Sequence, residues 1–446
     1  MHQAARPEAS PFVRIPAFLR AAGAASSLAA AFVLAGCGNP YRPVVASISP
    51  TGPASQPQKY AVTVAKSGVL SVIDFSGDTV MSTAQTSANP SYFAMGLSGD
   101  GYILHCDDPA SPNCNGLIDG VSVSDRLRTK DVVQASLVAD AKPNQIFPAT
   151  NYIYVTQPGR SSVAVLNATG NTGLAPTALT ELPVAANPNF VITRNQAPRV
   201  YVLSGAATGP TGTVTPIQIS NNTTITPVSV GQHPVYGVMN ADYRRAFVMN
   251  EGSGTVSVIN MQTNTLDMSS TLPTGTIPVG SNPVWADIAD STNVLAVLNQ
   301  GSGTTPGSLS IINIPLCNVI TNPTSTCDPS NPSDAVGFGT VLRTVPVGIN
   351  PFMVSILQDQ NKAYVSNTGS DSISVIDLTT MTKIKDIPVN GHPTWIAATN
   401  GNPTGKVYVI CNNSDQLTII YTDTDTAQTT TIPIQGTGVS VRMSAQ

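Results

Sequence analysis

The chain has 446 residues, of which 41% are hydrophobic and only 10% are charged, with a formal net charge of −4. Ordinary soluble proteins are about a quarter charged, so the polar surface here must consist largely of Ser, Thr, Asn, Gln and Gly. The sequence contains no basic run that would neutralise a phosphate backbone, and we therefore expect no nucleic-acid partner.

The first 36 residues resemble a bacterial lipoprotein signal peptide. A positively charged start precedes an alanine-rich segment at residues 21–35, which is too short to be a membrane span. The segment ends in the tetrad LAGC, Leu34 to Cys37, which is similar to a lipobox. The resemblance implies that Cys37 receives a diacylglycerol group before cleavage. The alternative is an ordinary secretory signal with a chance cysteine.

The residue after this cysteine bears on location. An aspartate there retains Gram-negative lipoproteins at the inner membrane, whereas this chain has Gly38. The resemblance therefore implies a protein of the cell envelope, anchored to the outer membrane through an N-terminal lipid, on its periplasmic or surface side. Several acyl chains anchor a protein stably, which one chain does not. Residues 37–58 are then the anchor and linker.

From residue 59 onward the chain repeats a unit of two short β-strands. The clearest copies lie at residues 246–261 and 363–378, where a Gly/Ser turn separates two runs rich in Val and Ile, as in a hairpin. The first strand of the unit recurs at residues 60–64, 101–106, 153–157, 200–204, 246–250, 295–299, 363–367 and 407–411. The second recurs at 70–74, 121–125, 163–167, 213–219, 256–260, 309–313, 373–377 and 417–421.

A turn that ends in proline recurs in step with these strands. The prolines are separated by 53, 45, 46, 49, 68 and 42 residues, and they are Pro90, Pro143, Pro188, Pro234, Pro283, Pro351 and Pro393. A period in the forties with four short strands per unit is typical of a β-propeller. Each unit exposes two apolar faces, so it must stack on its neighbours to be stable.

The segment Ala363–Ala397 resembles the YVTN-type β-propeller repeat, whose tetrad is present here as YVSN and is followed by a Gly/Ser turn, two strands and a proline turn. The match is strong at residues 231–261 and 346–397 and weaker elsewhere. The resemblance implies an all-β, circular domain with a central channel, in which each proline turn leads into the innermost strand of the next blade. The family includes surface-layer-type and periplasmic proteins, so it implies no activity.

The propeller, residues 59–446, must close its ring, because an open one would leave two exposed edges. The innermost strand of the first blade comes either from residues 436–446 or from residues 42–50. We favour the C-terminal segment, because it joins the two ends of the chain. Either choice gives eight four-stranded blades, and seven is the alternative if the blade at residues 91–140 is misassigned.

Two long intervals between prolines each contain a pair of cysteines, Cys106 with Cys114 and Cys317 with Cys327. We predict two disulfide-closed loops in an oxidising compartment. Metal binding is the weaker interpretation, since neither pair has the spacing of a zinc site. Cys411 has no partner left and ends a strand, which favours a buried, inert thiol.

No catalytic motif stands out. Nucleophile-elbow, zinc-protease, phosphate-loop and c-type haem patterns are missing from the sequence, and the chain after the signal has only two glutamates, Glu181 and Glu251. We therefore predict no catalytic residues, cofactor or metal. The alternative is a periplasmic hydrolase of the propeller lactonase type, which requires carboxylates clustered with His233 or His392 at the channel mouth.

The proline turns also predict a polar ring around one end of the channel. The residues before the prolines are Asn89, Lys142, Asn187, His233, Asn282, Asn350 and His392. Two positions after the prolines come Tyr92, Gln145, Phe190, Tyr236, Trp285, Met353 and Trp395. One interpretation is structural, with polar side chains bonding the turns and aromatic rings packing between blades. The other is an aromatic-floored cup for a small polar ligand such as a glycan fragment or peptide.

Together these features predict a lipid-anchored envelope propeller that acts as a binding or structural scaffold. Its partner would be a protein or a small polar ligand at the channel mouth. The candidate ligand-binding residues are the seven residues before the prolines together with Trp285 and Trp395, the two tryptophans of the chain.

Overall fold

A computed structural model describes residues 59–96, 99–106, 116–124, 130–149, 151–168, 180–194, 196–206, 208–269, 272–315, 337–401 and 404–444. All of them belong to one compact unit, Ala46–Gln446. Within these ranges, no helix has the length and apolar character needed to cross a membrane. The predicted signal peptide, Cys37, the linker and the alternative closing segment 42–50 lie outside the described residues.

The described chain is built almost entirely of β-strands. The first sixteen strands are β1 (Tyr60–Ala65), β2 (Val69–Asp74), β3 (Thr79–Gln85), β4 (Tyr92–Met95), β5 (Asp100–His105), β6 (Leu117–Ser122), β7 (Val132–Ser136), β8 (Gln145–Ala149), β9 (Tyr152–Gln157), β10 (Ser162–Asn167), β11 (Thr180–Pro183), β12 (Pro188–Ile192), β13 (Arg199–Ser204), β14 (Gly212–Gln218), β15 (Thr223–Thr224) and β16 (Val228–Val230). The next ten are β17 (Pro234–Met239), β18 (Arg245–Asn250), β19 (Thr255–Asn260), β20 (Thr265–Leu266), β21 (Thr276–Pro278), β22 (Pro283–Ala289), β23 (Val294–Asn299), β24 (Pro306–Asn313), β25 (Val341–Ile349) and β26 (Pro351–Leu357). The last nine are β27 (Lys362–Asn367), β28 (Ser372–Asp377), β29 (Thr382–Pro388), β30 (Pro393–Thr399), β31 (Lys406–Cys411), β32 (Gln416–Tyr421), β33 (Thr426–Ala427), β34 (Ile432–Pro433) and β35 (Gly438–Met443). Two single-turn 3-10 helices, Pro158–Arg160 and Glu251–Ser253, complete the set.

These strands form eight antiparallel sheets, which are the blades of a propeller. Blade 1 has the order β3-β2-β1-β35, and blades 2 to 8 begin at the innermost strands β4, β8, β12, β17, β22, β26 and β30. In blades 4, 5 and 8 the outermost strand is split into two short pieces, such as β15 and β16. The eight-bladed, four-stranded architecture predicted from the sequence is therefore confirmed.

The C-terminal strand closes the ring. β35 pairs antiparallel with β1, with Ala61 opposite Met443 and Thr63 opposite Val441, and it occupies the innermost position of blade 1. Val441 is fully buried and Met443 is nearly so, within the cluster between blades 8 and 1. The chain ends therefore share one sheet, so that neither end blade is left with an unpaired inner edge.

Neighbouring blades are also joined by hydrogen bonds from side chains of one blade to an aspartate of the next. The Tyr364 hydroxyl and the Lys362 ammonium group of blade 7 donate to the two carboxylate oxygens of Asp425 in blade 8, at 2.7 and 2.8 Å. At the junction where the ring closes, Lys406 of blade 8 donates to Asp78 of blade 1 at 2.8 Å. Closure therefore uses the same contact as an internal blade junction.

The fourth residue of the repeated tetrad is a buried asparagine in blades 5, 6 and 7. Asn250, Asn299 and Asn367 are at most 1% exposed, and the Nδ2 of each donates at 2.9 Å to a buried serine hydroxyl on the next strand, Ser257, Ser310 or Ser374. Glycines Gly231, Gly280 and Gly348 pack against them so closely that a Cβ would lie 2.6–2.7 Å from the asparagine Cγ. This network explains the Asn, the Ser and the Gly of the repeat.

The other blades replace this asparagine. Strand pairing places Gln157 of blade 3, Ser204 of blade 4 and Cys411 of blade 8 at the equivalent position. Cys411 is a free thiol that is 1% exposed, as the sequence predicted. The side-chain polar atoms of Gln157 and Ser204 are buried without a hydrogen-bond partner.

Blade 2 departs furthest from the repeat. His105 replaces the asparagine and Asp119 replaces the serine, and His105 Nε2 lies 3.0 Å from the carboxylate. Asp119 also accepts from the Ser87 amide at 2.6 Å and from the Gln134 amide group at 3.0 Å. Burial opposes ionisation of Asp119, but its bonds to His105 and Ser87 prevail and lower its pKa.

The third strand of blade 2 was misplaced by sequence reasoning, which assigned residues 121–125. The structure has β6 at Leu117–Ser122. The error has a physical cause: Asp119 interrupts the apolar pattern of this strand because it faces His105. The disulfides stay a prediction, since Cys106 is buried at the end of β5 while Cys114, Cys317 and Cys327 lie outside the described residues.

Candidate functional site

The residues before the turn prolines all have a left-handed backbone conformation. Their φ angles lie between 47° and 57°, and the residues are Asn89, Lys142, Asn187, His233, Asn282, Asn350 and His392. Because Asn and His adopt this conformation more readily than most residues, the backbone accounts for six of the seven identities. Lys142 is the exception. The inner strands that follow are neighbours around the channel, so these residues surround one end of it.

Several ring side chains bond to the turns around them. Asn282 donates its Nδ2 to the Gly301 carbonyl at 2.7 Å, and Asn350 accepts from Gln300 at 2.8 Å. His392 Nδ1 lies 3.0 Å from the Thr368 carbonyl. These hydrogen bonds indicate that the ring side chains help to stabilise the proline turns.

Both histidines of the ring lie against one carboxylate each. His233 Nδ1 lies 2.5 Å from Glu251, which follows β18, and each of these side chains is 25% exposed. His392 Nδ1 lies 3.0 Å from Asp371, and this pair is about half exposed. The mouth of the channel thus carries two separate His–carboxylate pairs, on the turns that lead into blades 5 and 8.

An aromatic layer lies next to the ring inside the channel. Six rings from six blades touch in a closed circuit with centroid distances of 4.0–5.9 Å, in the order Tyr92, Phe147, Phe190, Tyr236, Trp285 and Trp395. Tyr236 and Trp285 stack at 4.0 Å, and Trp285 meets the edge of Trp395 at 5.5 Å. The two tryptophans come from blades 6 and 8, so they bridge the width of blade 7.

This layer is only partly buried. Tyr92 and Phe190 are 6% and 4% exposed, whereas Phe147, Tyr236 and both tryptophans keep more of their surface accessible. In contrast, the aromatic residues between blades, such as Tyr201 and Phe247, are completely buried. The channel therefore presents aromatic surface that the blades themselves do not cover.

Two charged residues, Arg442 and Asp287, lie on the inner strands at a position two residues beyond that of the tryptophans. Arg442 of β35 stacks on Trp395, with its guanidinium carbon 4.4 Å from the ring centroid, and donates to the Tyr92 hydroxyl at 3.1 Å. Asp287 of β22 accepts from the Ile356 amide of the next blade at 2.8 Å. In blade 7 the equivalent residue is Ser355, which accepts from the Ala398 amide at 3.1 Å.

Burial shapes the acid–base behaviour of the channel. It raises the pKa of the Asp287 carboxyl to about 6, although its backbone hydrogen bonds work in the opposite direction. Burial also raises the pKa of Tyr236, with a further contribution from the nearby Tyr92 and Asp287. Burial raises the pKa of Tyr92 as well, although Arg442 works in the opposite direction. Near neutral pH the hydroxyl groups of Tyr92 and Tyr236 are therefore both neutral and can donate to a ligand.

The structure brings the predicted ring and both tryptophans to one end of the channel. The predicted lipidation residue Cys37 and three of the four cysteines of the predicted disulfides lie outside the described residues. Across the described ranges, no group of three or more His, Cys, Asp or Glu side chains is arranged to hold a metal ion.

Sequence reasoning missed Arg442, Asp287 and Phe147. All three stand at the same place on their inner strands, where other blades have Ala94, Ile192, Val238 or Ala397. The signal was available as a polar or aromatic residue at an otherwise small or aliphatic repeat position. It was hidden for Arg442 because β35 has no proline turn to set the alignment.

Comparison with known proteins shows the fold alone. No protein-family model matches the chain, and no curated protein matches it. Solved structures with a similar fold include dihydro-heme d1 dehydrogenase NirN in complex with DHE, at 12% identity and a TM-score of 0.62, over 87% of this chain and 76% of that one. Apo AztD from Citrobacter koseri has 12% identity and a TM-score of 0.55, over 86% of this chain and 97% of that one.

A further similar structure is a putative 6-phosphogluconolactonase from Bacteroides fragilis. It has 12% identity and a TM-score of 0.54, and the match covers 88% of this chain and 99% of that one. At such low identity these proteins share a propeller scaffold with the chain, and nothing about activity follows from the likeness.

Proposed function

We propose that this protein is a lipid-anchored β-propeller of the bacterial envelope that binds a small polar ligand or a peptide segment at the ringed end of its channel. The observation that carries the proposal is the accessible aromatic surface of Trp285, Trp395 and Tyr236 beside a ring of polar side chains. We further propose that its blades are copies of the YVTN-type repeat, on the strength of the Asn–Ser–Gly network of blades 5 to 7.

The chemistry of the channel favours a ligand with both apolar and polar surface. Aromatic faces gain free energy when a ligand removes them from water, and partly exposed rings leave that gain available. The ring supplies amide, imidazole and ammonium groups, and Glu251 and Asp371 beside its histidines add two carboxylates that can orient such a ligand. Ligand sites commonly combine apolar walls with a few convergent polar groups.

A hydrolase of the lactonase type is the less favoured candidate. Such an enzyme needs two or more carboxylates within reach of His233 or His392. Among the described residues, ion-pair contacts join His233 to Glu251 and His392 to Asp371, one carboxylate each. The similar putative 6-phosphogluconolactonase supports a shared scaffold but not a shared reaction.

Ligand binding is tested by intrinsic tryptophan fluorescence of the protein against envelope glycans, peptides and small metabolites. We expect at least one class to shift the emission and Trp395→Ala to abolish that shift. Phe247→Ala is the matched control, because it removes a buried aromatic residue between blades and should cost about 3–5 kcal/mol without removing a ring of the aromatic layer. If no compound perturbs the emission, the ligand-binding function is refuted.

The anchor is tested separately with Cys37→Ser. This variant should lose acylation, because only a cysteine sulfur provides the thioether linkage of a lipoprotein, and the protein should leave the detergent phase on phase partitioning. Cys411→Ser is the control, since Cys411 is buried in blade 8. A Cys37→Ser protein that still enters the detergent phase contradicts the lipid anchor.

A further inference from the structure

We infer that Arg442 is an anion-binding group and that the ligand of the channel is a small organic anion whose carboxylate it holds. The inference rests on the proposed ligand-binding function and specifies its ligand class. The observation behind it is a half-buried guanidinium in the channel that has a fixed position and no carboxylate partner.

Contacts on two sides hold the Arg442 guanidinium in place. Trp395 lies beneath it at 4.4 Å, Nη2 donates to the Tyr92 hydroxyl at 3.1 Å, and Nε is 3.4 Å from the Phe93 carbonyl. The strand that bears it is pinned by pairing with β1. A guanidinium that is positioned in advance loses little entropy when it binds an anion.

Four of the other described arginines have a carboxylate partner. Within the described residues Arg160, Arg194, Arg244 and Arg245 each lie 2.6–3.9 Å from a carboxylate, those of Glu181, Asp290, Asp242 and Asp267. Arg199 on β13 and Arg343 on β25 have none within 4 Å among the described residues, but neither β13 nor β25 is an inner strand. No described carboxylate lies within 4 Å of Arg442, whose polar contacts are a hydroxyl and a carbonyl oxygen. A partly desolvated cation of this kind is stabilised when an anion binds to it.

Asp287, which occupies the same strand position as Arg442 in blade 6, does not serve as that anion. The two oxygens of Asp287 already accept from the backbone amides of Ile288 and Ile356, each at 2.8 Å. Arg442, by contrast, has five N–H donors, and its bonds to the Tyr92 hydroxyl and the Phe93 carbonyl leave others for a ligand. The Tyr92 hydroxyl, which accepts from Arg442, keeps its own proton and can donate it to the same anion.

These donors define the ligand class. A planar carboxylate matches the fork of N–H groups on a guanidinium, and the charge-assisted bonds that result are stronger than neutral ones. The aromatic layer beside it favours a flat or apolar body attached to the carboxylate. An aromatic or sugar acid of small size satisfies both requirements.

The experiment compares benzoate with its neutral analogue benzamide by tryptophan fluorescence at low ionic strength. Trp395 reports directly, because it contacts Arg442. We expect benzoate to bind the full-length protein at least about tenfold more tightly than benzamide, and Arg442→Gln to remove that preference. Arg160→Gln is the charge-matched control, because Arg160 lies on blade 3 in an exposed ion pair, and it should keep the preference.

Arg442→Lys guards against a failure of the glutamine variant to fold. It keeps the charge but lacks the planar fork, so benzoate should bind it several-fold more weakly than the wild type, with melting temperature as the measure of folding. Equal affinity for benzoate and benzamide in the wild type, or an unchanged preference in Arg442→Gln, overturns the inference.

The same measurements separate this inference from the broader function. If neutral glycans or peptides shift the emission while benzoate shows no advantage, ligand binding stands and the anion site is refuted. If neither neutral compounds nor benzoate shifts the emission, both proposals fail.

Discussion

Blades 5 to 7 and blades 3 and 4 solve the same structural problem in different ways. In blade 7, Asn367 bonds to Ser372, Ser374 and the Gly348 amide at 2.9–3.2 Å. At the equivalent positions of blades 3 and 4, Gln157 and Ser204 are buried with side-chain polar atoms that lack a partner. Yet the four-stranded pairing of the blades is the same in both regions.

The difference shows which interactions the architecture needs. Strand pairing and apolar packing between blades are common to all eight units, whereas the hydrogen bond from the tetrad asparagine to a serine is made in blades 5 to 7. We infer that apolar stacking determines the propeller fold and that the Asn–Ser network adds stability locally.

The strongest test removes what all blades require. Deletion of residues 436–446 takes away β35, which buries Val441 and Met443 and covers the inner edge of β1. We expect a loss of more than about 5 kcal/mol, or aggregation, since each buried side chain contributes about 1.5–3 kcal/mol and both neighbouring blades lose contacts. Denaturant unfolding measures the loss, with a chain that ends at Ser444 as the control. A truncated protein that unfolds like the control contradicts closure by β35.

The second test addresses the network itself. Asn367→Ala removes hydrogen bonds to two serines and a backbone amide that remain buried, so we expect a loss of about 2–4 kcal/mol. Ser204→Ala in blade 4 is the matched control and should change stability by less than about 0.5 kcal/mol, because its hydroxyl has no partner. Equal losses in the two variants would erase the distinction between the regions.

Blade 2 sharpens the comparison, because a histidine and a carboxylate have replaced the asparagine and the serine. Asp119→Ser leaves His105 and Gln134 without their carboxylate and should cost about 2–3 kcal/mol. Adding His105→Asn recreates the pair found in blades 5 to 7 and should recover at least about 1 kcal/mol, as measured by thermal unfolding. Additive losses in the double variant would indicate that blade 2 cannot accept the consensus solution.

The smallest effect is expected in blade 6, where Asp287 stands at the position that Ser355 occupies in blade 7. Its pKa of about 6 in the folded state exceeds the ordinary value near 4, so the folded protein retains a proton that the unfolded chain releases. Stability therefore falls as the pH rises from about 4 to about 6 and changes little above that range, by on the order of 2 kcal/mol. Urea unfolding at several pH values should show a shallower decline in Asp287→Asn. An identical decline would assign it to other groups.

Much of this architecture could be predicted because each blade repeats one pattern. The period of the proline turns and the paired apolar strands predicted eight blades, and the tetrad of each unit marked the second strand. Prediction failed where a contact between strands overrode the local pattern. Asp119 masked β6, since the sequence does not show that its partner is His105 on the neighbouring strand.

The sequence by itself determined the repeat, the four-stranded blades and the polar character of the ring, because these depend on residues close together in the chain. Only the tertiary structure revealed the closed aromatic circuit and the position of Arg442 against Trp395 and Tyr92. Arg442 lies 47 residues after Trp395 and 350 residues after Tyr92, and no local pattern relates such distant positions. Their contact arises because ring closure brings the last strand of the chain between the inner strands of blades 8 and 2.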